Sequence, residues 1–211
     1  MTTRSILYVP LFFVIFSSCR KDDTLSPIFT LNTDPESSHF RTEPFTDPGA
    51  VAADDYSCNL TGNIETINEV DINHYGTYNI IYKVEDEAGN SAEISRQIDI
   101  ILPITDYYSQ TYNAYDTCTS SNFFYTGLVQ DCDCSDFSVI VGNISNFGPN
   151  ATFTLPISGQ YNHIITLDTT KAAVYFLGTG TMSTAADTLY WEYTIQDSIS
   201  TDACRSVWIK E

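Results

Sequence analysis

Hydrophobic and polar residues alternate along much of the chain, which is the pattern of β-strands that bury one face. The clearest examples are residues 77–85 (TYNIIYKVE) and 188–196 (TLYWEYTIQ). Apolar spacing with the helical period of about 3.6 does not persist beyond two turns, so the chain is predicted to be all-β. The faces predicted to be buried carry Tyr78, Ile80, Tyr82 and Val84 in the first run, and Leu189, Trp191, Tyr193 and Ile195 in the second.

Turn signals divide the first half of the chain into short strands. Residues 87–90 (EAGN) separate the run 77–85 from a second alternating run at 92–100, which predicts a hairpin. Several short strands between such turns predict a β-sandwich domain at residues 26–103. The other predicted turns are Asp34-Pro35, Asp47-Pro48-Gly49 and Tyr75-Gly76.

The second half predicts a second β domain, at residues 107–211. The linker that precedes it, residues 104–106, is short and therefore predicts a semi-rigid connection. Successive hairpins of similar length are typical of an antiparallel barrel or a closed sandwich. The eight predicted strands are residues 107–115, 122–129, 137–144, 151–155, 163–168, 173–181, 188–196 and 206–209.

The N-terminus carries a short apolar segment, residues 6–16 (ILYVPLFFVIF), after a single basic residue, Arg4. A helix that crosses the hydrocarbon core of a membrane needs about 20 apolar residues, and Pro10 interrupts this run. Residues 1–18 are therefore predicted to be a signal peptide and not a membrane span.

The end of this segment, Phe16-Ser17-Ser18-Cys19, resembles the lipobox of bacterial lipoproteins. In those proteins cleavage precedes the cysteine and a diacylglycerol is attached to its sulfur. The resemblance implies lipid attachment at Cys19 and a membrane anchor, with residues 19–25 as the tether. The alternative is an ordinary secretory peptide in which Cys19 has no role.

Residues 20–23 (RKDD) resemble the charged start that directs Bacteroidota-type lipoproteins to the outer face of the outer membrane. The resemblance implies an outer-membrane protein exposed at the cell surface, with the periplasmic face as the alternative.

The excess of acidic over basic residues limits the classes of binding partner. The chain has 27 acidic and 9 basic residues and a formal charge of −18. Nucleic acids and anionic lipids are repelled by such a charge and are excluded as partners. The acidic excess otherwise serves solubility outside the cell.

Five cysteines follow Cys19, and an oxidising envelope favours their pairing. Cys58 is predicted to be free and buried. Cys132 and Cys134 would share one side of an extended strand, so we expect each to bond to a distant cysteine, in a connectivity that the sequence leaves open. A zinc site is the alternative, but C-x-C without a nearby histidine is poor zinc spacing. The four predicted disulfide cysteines are Cys118, Cys132, Cys134 and Cys204.

Residues 26–103 contain four motifs in sequence order, DPGAVAADD (47–55), NLT (59–61), GTY (76–78) and DEAGNSA (86–92). In this order they resemble bacterial immunoglobulin-like repeats, a type first noted beside insecticidal crystal toxins and common in Bacteroidota surface lipoproteins. The resemblance implies an immunoglobulin-like spacer or adhesive module. Cys58 departs from the pattern, because such repeats usually have a turn glycine there.

Four aspartates of this domain, Asp47, Asp54, Asp55 and Asp86, are candidate calcium ligands, because hard cations bind several carboxylate oxygens. The favoured interpretation is that Asp47 and Asp86 form turns by bonding their own backbone. No cofactor or metal is therefore predicted.

The second domain contains the motifs VIVGNISNFGPNATF (139–153), ISG (157–159), GTG (178–180) and LYWEYTIQD (189–197). With these motifs it resembles the lipocalin-like domain at the C-termini of many Bacteroidota lipoproteins. A barrel of about eight strands either encloses one small ligand or is filled by its own side chains.

Aromatic residues of this domain are candidates for ligand contacts, because the apolar face of a sugar packs on aromatic rings. Neighbours in a strand face opposite sides, so the triplet Phe123-Phe124-Tyr125 must direct at least one ring outward. The alternative is that most of these rings belong to the core. The candidate ligand-binding residues are Phe123, Tyr125, Tyr190 and Trp191.

Catalysis is not predicted. His39, His74 and His163 have no nucleophile motif beside them, and no G-x-S-x-G or H-E-x-x-H sequence occurs. The chain is therefore predicted to be a monomeric, non-catalytic surface lipoprotein whose outer domain binds a glycan, a protein or a small ligand. One alternative is a structural or adhesin subunit that assembles through strand edges. Another is a small hydrolase, which would need a pocket where carboxylates converge.

Overall fold

The computed structural model describes residues 23–33, 37–55, 58–134, 137–148 and 150–211. The predicted signal peptide, Cys19, the first part of the tether and the turn at Asp34-Pro35 lie outside these residues. Within the described residues no helix has the length and apolar character needed to cross a membrane.

The all-β prediction is confirmed: the described residues form strands joined by turns and three short 3-10 helices. The 3-10 helices are Thr61–Asn63, Ile104–Tyr107 and Ile144–Asn146. The strands are β1 (Ile28–Leu31), β2 (Ser38–Phe40), β3 (Ala50–Asp54), β4 (Cys58–Asn59), β5 (Glu65–Asn68), β6 (Gly76–Glu85), β7 (Ser91–Ile101), β8 (Ser109–Cys118), β9 (Asn122–Asp131), β10 (Ser138–Gly142), β11 (Thr152–Ser158), β12 (Ile164–Lys171), β13 (Val174–Met182), β14 (Thr188–Gln196) and β15 (Thr201–Lys210).

The N-terminal domain consists of two sheets, with strand orders β1-β3-β4 and β2-β7-β6-β5. The predicted hairpin is β6–β7, whose strands pair without a register shift. The alternation of β6 places Ile80, Tyr82 and Val84 in the interior, as the sequence predicts. Ile98 and Ile100 of β7 join this core.

The C-terminal domain is a closed antiparallel barrel of eight strands in the order β10-β11-β12-β13-β14-β15-β8-β9. Neighbours in the barrel are neighbours in the chain, except where β15 pairs with β8 and closes the ring. The Cys118–Cys204 disulfide lies at this closing pair, because the two cysteines face each other in its register. The predicted barrel is thus confirmed, whereas its likeness to lipocalins stays a prediction.

The barrel interior is filled by large side chains. The rings of Trp191 and Trp208 pack with their centroids 5.6 Å apart, and both side chains are fully buried. Gly127 and Gly180 leave room for them, since a Cβ atom would lie 2.4 Å from the Trp208 ring at Gly127 and 2.8 Å from the Trp191 ring at Gly180. The GTG sequence therefore serves close packing inside the barrel.

The two domains are joined by a packed interface. The Tyr75 hydroxyl donates a hydrogen bond to the Met182 carbonyl at 2.8 Å, and the Tyr75 ring stacks on Tyr161. The buried Leu102 donates its backbone N–H to the Tyr161 carbonyl. Arg41 forms an ion pair at 2.7 Å with Asp106 of the linker. These contacts hold the sandwich against the barrel and the linker against the sandwich.

Two expectations about cysteines are wrong. Cys132 and Cys134 bond to each other instead of to distant partners. The reason is that β9 ends at Asp131 and Asp133 has a φ of 51°, so the chain turns where the prediction assumed an extended strand. Cys58 is free but exposed, because it lies in the two-residue strand β4 at a sheet edge.

Candidate binding surface on the barrel wall

Four apolar side chains form a row across the outside of the barrel. Tyr115 of β8 pairs in register with Phe124 of β9 and with Val207 of β15, and Val207 pairs with Tyr190 of β14. Their exposed fractions are 64% for Phe124, 50% for Tyr115, 37% for Val207 and 50% for Tyr190. We call these four residues the wall strip.

Strand alternation explains why the wall strip is exposed. The chain neighbours of its members, such as Ala114, Tyr125, Trp191 and Trp208, point inward and are buried. The strip crosses four neighbouring strands, which spans about 14 Å at the usual strand spacing. Contiguous exposed apolar side chains of this kind mark interaction surfaces more often than scattered ones do.

Aromatic rings dominate one end of the strip. The centroids of Tyr115 and Phe124 lie 4.8 Å apart with their planes tilted by 46°. Tyr190 supplies a third ring, two strands away from Tyr115. Ile209, two residues beyond Val207 on the same face, is also exposed and widens the apolar area.

A shallow groove with a few polar side chains borders the strip. Arg205 and Glu192 form an exposed ion pair with 3.2 Å between Nε and Oε1, and Thr117 lies beside Arg205 on β8. Together with Leu177 and the Cys118–Cys204 disulfide they line a shallow groove of about 550 Å³. Rings and hydrogen-bonding groups therefore lie side by side on one outer surface.

The structure separates the four predicted ligand residues. Tyr190 lies in the wall strip. Phe123 is half-buried and packs against the barrel core. Tyr125 and Trp191 belong to the core, with exposed fractions of 6% and 1%, so neither can contribute to the outer surface. The outward member of the aromatic triplet is Phe124, in agreement with the strand-alternation argument.

A polar cluster lies inside the barrel. The buried Asp116 carboxylate accepts hydrogen bonds from the Tyr125 and Tyr193 hydroxyls, at 2.9 and 2.6 Å. The Tyr125 oxygen also accepts the Ser145 backbone N–H. Burial raises the pKa of Tyr125 and of Tyr193 far above the ordinary value. Two neutral phenols thus provide the hydrogen bonds that the buried carboxylate needs, so the role of the cluster is structural.

The predicted calcium ligands do not come together as a set. Asp54 and Asp86 lie close to Asp23, and the three offer carboxylate oxygens within 4.8 Å of one another. Asp47 is engaged elsewhere, because it accepts hydrogen bonds from the Gly49 N–H and the Tyr82 hydroxyl. Asp55 is not part of the group.

Asp86 forms a turn, as the favoured interpretation states. Its Oδ1 accepts the backbone N–H groups of Ala88 and Asn90 at 2.8 and 2.9 Å. Burial acts to raise the pKa of Asp86, but the hydrogen bonds from Asn90, Ala88 and Gly89 outweigh it and lower the pKa. The turn that joins β6 to β7 is therefore organised by this carboxylate.

The three histidines make packing or polar contacts with neighbouring side chains. His74 contacts Asp71 of the same loop at 2.7 Å. His163 packs against Tyr75 and Tyr161 at the domain junction, and burial lowers its pKa. His39 packs edge-on against Phe45.

A second concavity, of about 400 Å³, lies at the domain junction. Phe40 reaches it from the sandwich, Phe137 and Ile157 from the barrel, and Ile104 from the linker. Among the described residues that line it none is charged, so this lining is that of an apolar cleft and does not bring carboxylates together.

Comparison with known proteins identifies the first domain. Residues 29–100 match the family model described as Bacterial surface protein, Ig-like domain. This match confirms the predicted immunoglobulin-like domain and indicates a bacterial surface protein. A search of curated proteins found no match.

Two solved structures are similar over most of the chain. A lipoprotein from Bacteroides thetaiotaomicron is 17% identical and has a TM-score of 0.36, with 88% of this chain and 100% of that one covered. A candidate outer membrane protein from Bacteroides fragilis is 13% identical and has a TM-score of 0.33, with 88% of this chain and 94% of that one covered. Neither likeness is close enough to support an argument about function.

Proposed function

We propose that this chain is a lipid-anchored, non-catalytic binding protein of the bacterial surface, and that its wall strip binds a glycan. The carrying observation is that Phe124, Tyr115 and Tyr190 expose their rings on one continuous outer face. The barrel interior, which would be the other place for a ligand, is filled by Trp191, Trp208 and their neighbours.

Carbohydrate chemistry fits this surface. A sugar ring presents an apolar C–H face, which packs on an aromatic ring, and hydroxyl groups that exchange hydrogen bonds with polar side chains. The wall strip supplies the rings, and Glu192, Arg205 and Thr117 supply donors and acceptors beside them. The formal charge of −18 disfavours acidic polysaccharides, so we expect a neutral glycan.

The immunoglobulin-like domain is proposed to lift the barrel away from the membrane. The first described residue, Asp23, accepts a hydrogen bond from Asn90 at the β6–β7 turn. The barrel contacts the other end of the same hairpin, at Tyr75 and Leu102. The tether and the barrel thus lie at opposite ends of β6, whose ten residues span about 30 Å.

This arrangement supports the proposed order of parts. Residues 1–18 are the signal peptide, Cys19 carries the lipid, 19–25 form the tether, 26–103 the spacer and 107–211 the binding domain. A lipid at Cys19 would then hold the barrel away from the membrane.

A glycan array probed with the full mature chain tests the proposal. We expect retention on neutral glycans and its loss in the double variant Phe124→Ala/Tyr190→Ala. Ile199→Ala is the matched control, because it removes an exposed apolar side chain from the β14–β15 turn, outside the strip. The proposal is contradicted if the wild-type chain binds no neutral glycan, or if the double variant binds as strongly as the wild-type chain.

Assembly through strand edges is the second candidate, and the edge strands of the sandwich sheets favour that domain as its place. Every strand of the closed barrel has two neighbours, whereas β5 pairs only with β6 and exposes all four of its residues. An unpaired edge of this kind can add a strand from another chain. Size-exclusion chromatography separates the candidates, since stable oligomers favour assembly and a monomer favours glycan binding.

A further inference from the structure

The loop between β9 and β10 contains a disulfide between residues only two positions apart. Cys132 and Cys134 are joined across Asp133, and Cys134 is exposed while Cys132 is half-buried. The bond lies outside the barrel core, in a connection that follows the end of β9.

The other disulfide differs in the length of the loop that it closes and in the burial of one of its cysteines. Cys118 and Cys204 are 86 residues apart in sequence and join β8 to β15, the pair that closes the barrel. Cys204 is buried. A crosslink restricts the unfolded chain more when it closes a longer loop, so Cys118–Cys204 is coupled to folding and Cys132–Cys134 is almost uncoupled.

We propose that Cys132–Cys134 is a thiol–disulfide exchange site that accepts two electrons from a neutral or cationic thiol in its surroundings. Exchange requires a thiolate to reach one sulfur in line with the bond, and exposure of Cys134 provides that access. The proposal does not depend on the wall strip.

The local hydrogen bonding selects the direction of attack. The backbone N–H of Cys134 donates to the Cys132 sulfur at 3.1 Å. A donor at this sulfur stabilises the negative charge that Cys132 acquires when the bond breaks. Cys134 is therefore the sulfur that is attacked, and Cys132 is the leaving group.

The exchange balances as two steps. A thiolate RS⁻ attacks the Cys134 sulfur, which forms an R–S–S–Cys134 mixed disulfide and releases the Cys132 thiolate. A second RS⁻ attacks the sulfur of R, which forms RSSR and releases the Cys134 thiolate. Both cysteine thiolates take up the protons that the two thiols lost, so that two RSH become RSSR while the protein disulfide becomes a dithiol.

Neighbouring charges select the thiol. Asp131 and Asp133 flank the site and are exposed. Their field reaches the Tyr108 phenol, whose pKa is raised by burial first and by these two carboxylates in addition. An anionic thiol is therefore repelled from the site, and the repulsion weakens as salt screens it.

Graded reduction of the full, natively folded chain tests the proposal. N-ethylmaleimide first blocks the exposed Cys58 thiol, and dithiothreitol is then titrated before trapping with iodoacetamide and peptide mass spectrometry. We expect Cys132 and Cys134 to be labelled at a reductant concentration at least about tenfold lower than that needed for Cys118 and Cys204. Near-ultraviolet circular dichroism must stay native at that concentration. Parallel labelling of all four cysteines, or labelling only after unfolding, overturns the proposal.

Two further measurements test its chemical details. A limiting amount of β-mercaptoethanol should trap the mixed disulfide on Cys134, and an adduct mainly on Cys132 overturns the assigned direction. At equal thiolate concentration, cysteamine should react several-fold faster than glutathione at low salt, as charge steering predicts. The double variant Asp131→Asn/Asp133→Asn should remove most of this difference. Equal rates in the unmodified chain overturn the selection by charge.

Discussion

The Asp116 carboxylate accepts the Tyr193 hydroxyl at 2.6 Å in the middle of the barrel core. Tyr193 reaches it from β14 and Tyr125 from β9, so one carboxylate links two separate strands to β8. A buried polar group stabilises a fold only when its hydrogen bonds are made, because an unpaired one retains its full desolvation cost. Asp116 therefore makes the barrel sensitive to the loss of either phenol.

Removal of the Tyr193 hydroxyl should destabilise the barrel. We expect Tyr193→Phe to lower the free energy of unfolding by about 1–3 kcal/mol, since Asp116 loses a partner that water cannot replace in the core. Urea unfolding followed by tryptophan fluorescence measures the change. Tyr190→Phe is the matched control, because it removes a phenol from the solvent-exposed wall strip, and an equal loss in both variants would contradict the role of Asp116.

The free energy of unfolding of the barrel should fall more steeply at alkaline pH than that of a β protein whose tyrosines are exposed. Burial raises the pKa of four core tyrosines, Tyr107, Tyr112, Tyr125 and Tyr193, above the value of about 10 that applies to the unfolded chain. The folded protein then keeps protons that the unfolded chain releases. The free energy of unfolding is unaffected below about pH 10 and falls above it, by up to about 5 kcal/mol per pH unit.

Urea unfolding measured between pH 8 and pH 11.5 checks this dependence. The variant Tyr193→Phe should lower the slope above pH 10, because one of the four protons is then absent. A free energy of unfolding that stays constant up to pH 11.5 would show that these phenols ionise in the folded state.

Gly127 should not tolerate a side chain. A Cβ atom at this position would lie 2.4 Å from the ring of the fully buried Trp208. We expect Gly127→Ala to cost about 1–3 kcal/mol or more through overpacking. Gly62→Ala is the control, since its Cβ would meet no atom within 4 Å. Thermal unfolding of both variants, with near-ultraviolet circular dichroism as the probe, distinguishes them.

The domain junction should loosen when Tyr75 is removed. Tyr75→Ala deletes the hydrogen bond to Met182 and the stack on Tyr161, which are contacts between the sandwich and the barrel. We expect a larger radius of gyration by small-angle X-ray scattering and faster proteolysis in residues 103–106, with both domains still folded. Tyr175→Ala, on the barrel surface, is the control. A scattering profile identical to that of the unchanged chain would contradict the importance of this contact.

The strands were predictable because each buries one face and therefore alternates. Residues 188–196 show this, with Leu189, Trp191 and Tyr193 buried and Tyr190 exposed between them, although Ile195 on the same face is only half-buried. The wall strip could be predicted only in part. That Phe124 faces outward follows from its triplet, but its proximity to Tyr115 and Val207 depends on the registers of β8 with β9 and β15. The register of β8 with β15, which lie at opposite ends of the domain in sequence, leaves no local pattern in the sequence.

The cysteine pairing was missed for a local reason. The spacing of Cys132 and Cys134 fits an extended strand, whereas the backbone at Asp133 is left-handed and brings the two side chains together. Aspartate tolerates this conformation better than most residues, so Asp133 is a signal that could have suggested a turn.

Lipid attachment at Cys19 should decide where the protein resides. We expect Cys19→Ala to move the protein from the membrane fraction to the soluble fraction, because acyl chains contribute about 0.8 kcal/mol per buried methylene to anchoring. Cys58→Ala is the matched control and should stay in the membrane, since Cys58 lies on the surface of the sandwich. Intact-mass analysis of membrane-extracted protein should show Cys19 as the N-terminus with added acyl mass. A mature N-terminus elsewhere, or a Cys19 thiol without acyl mass, would remove the anchor, and the sandwich would then have no membrane from which to lift the barrel.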